Sequence, residues 1–128
     1  MYIFTLVGDI EKVIARLGAE HGEFTLAMLY NSSLEAELSW NLIVSAPWLD
    51  KMSMTNGTRL IANALNQGLN LENQGSISRV TVLKTNDQFV REMTNLYPVS
   101  LGSRIPINQL NAGELSGSGF ILYSQKAA

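Results

Sequence analysis

The sequence predicts a single α/β domain, with an α+β arrangement as the alternative, built on a mixed five-stranded sheet with helices packed on it. Three observations carry this reading. Five short apolar runs, rich in β-branched and aromatic residues, are spread along the 128 residues. Helical apolar stripes stand between or before them. The stretch from Leu38 to Thr85 reads strand, helix, strand, and it is long enough for the crossover that a parallel pair requires.

The first element is a helix over about 4–20. Leu6, Val7, Ile10, Val13, Ile14 and Leu17 follow helical spacing, and Gly18 or Gly22 in "GAEHG" ends the run. A short strand over 2–7 is the alternative. Asp9 and Glu11 are expected to enrich the first helical turn in acid. "FTLAMLY" (24–30) is a nearly continuous apolar strand. "LSWNLIVSA" (38–46) alternates at first and is then apolar on both faces, as a strand covered on two sides would be. Leu60, Ile61, Ala64, Leu65 and Leu69 give the next helix, which starts between Asp50 and Thr58 because "TNG" at 55–57 suits a helix interior poorly.

"SRVTVLKT" (78–85) is a strand and "TNDQFVREMTNLY" (85–97) a short helix closed by Pro98. Thr85 and Gln88 have the spacing of a capping box. "SRIPINQL" (103–110) is a strand whose Pro106 places it at an edge or bulge. "GFILYS" (119–124) is a central or semi-central strand, reached through a long hairpin at 111–118. The order is α-β-β-α-β-α-β-β. Strands 24–30 and 38–46 form a hairpin, and 38–46 lies parallel to 78–85 through a right-handed crossover. Leu42, Val44, Leu60, Leu65, Val80, Val82, Phe89, Met93 and Ile121 are expected to be largely buried.

Composition limits the chemistry. Apolar residues make up 46% and charged residues 16%, against a usual ~25% charged. A chain of this length forms one domain, 1–128, with a core that needs no staples. Net charge is −2, with no cluster of basic residues, so nucleic acid is not an expected partner. There is no cysteine, hence no disulfide and no thiolate site, and the single histidine, His21, rules out multi-histidine metal centres. No metal or other cofactor is expected. No apolar run approaches the ~20 residues of a membrane span, and the N-terminus lacks a signal-peptide pattern. The expected location is the cytoplasm.

One stretch stands out. "SAPWLD" (45–50) follows the most strand-like run in the chain. Parallel pairing would bring Ser45, Trp48, Asp50 and Lys51 beside Lys84, Thr85 and Asp87, at the carboxyl ends of the two strands, where open α/β sheets bind ligands. The helix start at 85–88 would add a place for an anion. The same residues have plain structural uses. Pro47 stops the strand, Trp48 anchors the first turn of the helix, and Asp50 and Thr85 cap helices. The structural use outweighs the ligand use here. Met52 and Met54 fall on no apolar stripe and are expected to be exposed.

The residues favour a non-catalytic module that binds another protein or, more simply, a second copy of itself as a homodimer. The alternative is a small-molecule-binding domain, or a metal-independent enzyme, using Ser45–Asp50 and Lys84–Asp87.

Overall fold

The structure, a computed structural model, describes residues 2–31, 40–112 and 115–125. Helix α1 (Tyr2–His21) opens the chain and rules out a strand at its start. Leu6, Val7, Ile10, Val13, Ile14 and Leu17 are all buried on its inner face. Gly22 ends it: its φ of 128° is a left-handed conformation, and its N–H returns to the Gly18 carbonyl at 3.0 Å. Because the helix begins at Tyr2, Asp9 and Glu11 sit deeper than the first turn, contrary to expectation. Asp9 accepts from the Asn73 amide, and Glu11 pairs with Arg104.

Strands β1 (Leu26–Asn31) and β2 (Trp40–Ser45) pair antiparallel, with Met28 opposite Ile43. A short helix α2 (Pro47–Asp50) follows, then α3 (Met54–Gly68) and a second short helix α4 (Leu71–Gln74). Strand β3 (Ile77–Val82) lies parallel to β2, with Val44 opposite Val82. Helix α5 (Gln88–Leu96) leads to β4 (Ile105–Ala112) and β5 (Leu115–Ser124). The sheet order is β3-β2-β1-β5-β4. Setting aside the two four-residue helices α2 and α4, the element order is the expected one. The fold is α/β with one open, mixed sheet.

Pro106 sits on β4, at the sheet edge. Strand β5 starts at Leu115, not Gly119, so most of the expected long hairpin is ladder, with Ser116 opposite Asn111. Gly119 allows a close approach inside the sheet: a Cβ there would fall 1.9 Å from the Leu29 carbonyl oxygen. Gly68 does the same between helices, where a Cβ would meet Val13 Cγ2 at 2.4 Å.

Two cores flank the sheet. Helices α1 and α3 cover one face, over Ala27, Leu29, Trp40, Leu42, Val44 and Leu122. Helix α5 covers the other with Val90 and Met93, over Leu26, Met28, Ile43 and Ile121. Four expected core residues are only partly buried: Leu60, Val80, Val82 and Phe89. Strand β3 is an edge, so Val80 and Val82 lack a neighbour on one flank. Leu60 lies beside a stripe centred on Ile61 and Leu65, and Phe89 is in the first turn of α5. Met54 is exposed (68%), whereas Met52 packs against the first core. No helix among the described residues is long and apolar enough to cross a membrane.

Candidate functional site

The parallel pair β2/β3 delivers two chain segments to the same end of the sheet. Ala46 keeps an extended backbone (φ −160°, ψ 148°) ahead of Pro47, as a residue before proline prefers. Pro47 then starts α2, which buries Leu49 and leaves Asp50 at its end. On the other strand the chain leaves Val82 and turns through Lys84–Asp87 into α5.

The two segments are tied directly. The Asp50 carboxylate accepts from the Thr85 backbone N–H at 3.1 Å and from the Thr85 hydroxyl at 2.5 Å. The Lys84 ammonium donates to the Asp50 carbonyl at 2.9 Å. The expected capping roles of Asp50 and Thr85 are therefore not the observed ones. Ser53 caps α3, accepting from the Asn56 N–H at 3.1 Å. Asp87 caps α5, accepting from the Phe89 N–H at 2.8 Å. Thr85 is too far before the helix and already serves Asp50, and Gln88 reaches forward to Glu92, so no capping box forms. The Asp87 carboxylate also occupies the helix start at which the sequence offers a place for an anion.

Trp48 is half-buried. Its indole N–H donates to the Gly22 carbonyl at 2.9 Å. Its ring stacks on His21, centroids 4.7 Å apart and planes 20° from parallel, and meets Phe24 edge-on at 5.3 Å. Ser45 is fully buried between strands, with its hydroxyl unpartnered and its carbonyl accepting from the Thr25 N–H. Of the residues singled out by sequence, then, Trp48, Asp50, Lys84, Thr85 and Asp87 are engaged in holding the edge together. Ser45 is hidden from solvent, and Lys51 is exposed.

A groove of about 740 Å³ lies beside Trp48, lined also by His21, Glu23, Lys51 and Gln125. A second, of about 750 Å³, follows α5 past Asn86, Arg91 and Asn95. Thr25 and Thr85 line both. Burial, and then the charge of Glu23, raise the Tyr123 hydroxyl above its ordinary value. Among the described residues no three acidic or imidazole side chains gather as metal ligands would.

Sequence reasoning did not bring His21, Glu23, Thr25, Gln125 and the outer face of α5 into this site. His21 and Trp48 belong to separate elements, and no spacing links them. Only the turn at Gly22 and the pairing of β1 with β2 and β5 carry them together. Comparison with known proteins finds no family model, no curated protein and no solved structure that matches the chain.

Proposed function

We propose that the chain is a cytoplasmic, single-domain interaction module without a catalytic role, and that it pairs with a second copy along the outer side of β3 at Val80–Val82. The observation behind this reading is the state of that edge. Strand β3 has β2 on one side and, among the described residues, no strand on the other. The Leu83 N–H donates to the Val44 carbonyl at 3.0 Å. Alternation along the strand then turns the N–H and C=O groups of Val80 and Val82 outward, away from β2. Such a row is a template for another strand unless something blunts it.

The two edges of the sheet differ in this respect. Strand β4 carries Pro106 and a register shift between Ile107 and Leu110. Strand β3 (ISRVTV) has no proline and a single charge, Arg79. An antiparallel contact about a two-fold axis would set the Val80–Val82 stretch of each copy against the other, giving the self-complementary surface a dimer needs. The low overall charge of 16% supports burial of such a surface.

Light scattering on the full chain tests this. The wild type should show twice the 14.1 kDa chain mass. Val80→Pro removes an N–H that faces outward and leaves the bonds to β2 in place, so it should give a folded monomer. A monomeric wild type, or a dimer untouched by Val80→Pro, would refute the proposal.

A further inference from the structure

Residues 55–57, "TNG", suit a helix interior poorly, yet they lie in the first turn of α3. They carry an inference that does not rest on the pairing of β3. We infer that Asn56 is a site of spontaneous deamidation, and that the first turn of α3 gates the reaction.

The chemistry needs a backbone nitrogen that can reach the side-chain amide of the residue before it. The Gly57 nitrogen gives up its proton and bonds to Asn56 Cγ. The bond from Cγ to the amide nitrogen breaks, and the amide leaves as ammonia, carrying that proton. A cyclic imide remains. Water then opens it at either carbonyl. Opening at Cγ gives Asp at position 56. Opening at the main-chain carbonyl gives isoaspartate, in which the backbone runs through the side chain. No oxidant or cofactor takes part. A β-carbon on the following residue hinders the approach, and Asn56–Gly57 is the one place in the chain where glycine follows asparagine.

Three observations leave this bond open to attack in the folded protein. Asn56 is exposed, as are Ser53, Met54 and Thr55 before it, so base and water reach the side chain. The Asn56 side-chain amide has no hydrogen-bond partner among the described residues and can turn towards Gly57. The restraint on Gly57 is itself slight. Its N–H donates to the Ser53 carbonyl at 2.9 Å, and the Asn56 N–H donates to the Ser53 hydroxyl at 3.1 Å. While the first bond stands, the Gly57 nitrogen is committed to the helix and the ring cannot close. Both bonds end on one exposed residue at a helix terminus, where local opening costs least. The opening of that turn therefore sets the rate.

The products bear on α3 in opposite ways. The first turn of α3 contains no acid. Asp at position 56 would place one at the positive end of the helix, where it is favoured. Isoaspartate lengthens the backbone between the two N–H groups that reach Ser53, and the turn cannot re-form around it.

The test is timed incubation of the full chain in mildly alkaline buffer, followed by tryptic peptide mapping. Cleavage after Lys51 and Arg59 releases residues 52–59, in which Asn56 is the single asparagine. Conversion of that peptide to the acid reads the position directly, and electron-transfer fragmentation separates the two products. A synthetic peptide of residues 52–59 supplies the rate without the helix. Asn56 should convert ahead of every other asparagine in the folded chain, and more slowly than in the free peptide. Ser53→Ala removes the cap and should raise the rate in the folded chain by about fivefold, the change in open population that one lost cap produces. Gly57→Ala should suppress conversion in chain and peptide alike. Its Cβ would lie 3.4 Å from Leu49 Cδ2, an ordinary contact, so the fold is kept. The inference is overturned if Asn56 keeps its amide in the wild type, if the folded chain converts as fast as the free peptide, or if Ser53→Ala leaves the rate unchanged.

Discussion

The bond between Asp50 and Thr85 is the sharpest point at which the packing of the β2/β3 edge can be tested. Asp50→Ala removes the acceptor for two donors, the Thr85 N–H at 3.1 Å and the Thr85 hydroxyl at 2.5 Å. Hydrogen bonds to a charged group contribute about 1.5–3 kcal/mol each when buried. Both residues here are half-buried, so solvent takes up part of that, and about 2–3 kcal/mol is expected for the pair. For a chain of this size that lowers the melting temperature by roughly 10 °C. Thr85→Val removes only the hydroxyl and should cost about 1 kcal/mol.

The two changes delete one shared contact. The double variant should therefore cost about 1 kcal/mol less than the sum of the single ones. Urea denaturation is the assay, read as a midpoint shift at constant slope. Strict additivity would refute the reasoning, since it would mean that the two side chains do not act on each other. So would an Asp50→Ala cost below about 0.5 kcal/mol, the range of a solvent-screened surface contact.

Two further predictions concern the same end of the sheet. Trp48→Ala should cost about 2–4 kcal/mol, somewhat below a full core truncation because the ring is half-buried, and Trp48→Phe about half as much, since only the bond to Gly22 and part of the stack are lost; equal melting of all three proteins would show that the ring is not an anchor. Tyr123, whose hydroxyl is held neutral above its ordinary value of 10.0, binds its proton more tightly when folded, so its contribution is complete below about pH 10 and is lost as pH rises through the folded value; alkaline melts should therefore fall less steeply for Tyr123→Phe, and an identical decline would count against it.

Much of the fold was legible because its signals are local or periodic. The apolar stripe from Leu6 to Leu17 identifies α1, and the strand–helix–strand spacing from Trp40 to Val82 identifies a parallel pair. Pro106 marks an edge. What escaped the sequence depends on tertiary contact. That β3 is an edge, leaving Val80 and Val82 partly exposed, follows from strand order, which no single strand encodes. Thr85 has the spacing of a cap, but Asp87 takes that role because Thr85 is drawn to Asp50, a partner 35 residues away. The edge around Ser45–Asp50 and Lys84–Asp87 was legible as a meeting place. Its outer wall was not, because His21 and Gln125 reach it from opposite ends of the described chain.

The insertion of β5 between β1 and β4 has a consequence for how the molecule comes into being. Strand β1 has all but one of its side chains buried, and its second ladder, from Leu26 opposite Ser124 to Asn31 opposite Ser118, needs residues made last among those described. A nascent chain that has reached Leu96 can pair β1 with β2 and β2 with β3, and can dock α1 and α3. One flank of β1 stays without a ladder until β5 arrives. Pairing across such a sequence distance is slow, and an apolar strand waiting for it is open to a neighbouring chain. The exposed interval is thus fixed by the time the ribosome takes from β1 to β5, and slowing translation between Leu96 and Leu115 would lengthen the period in which two nascent copies can capture each other through β1.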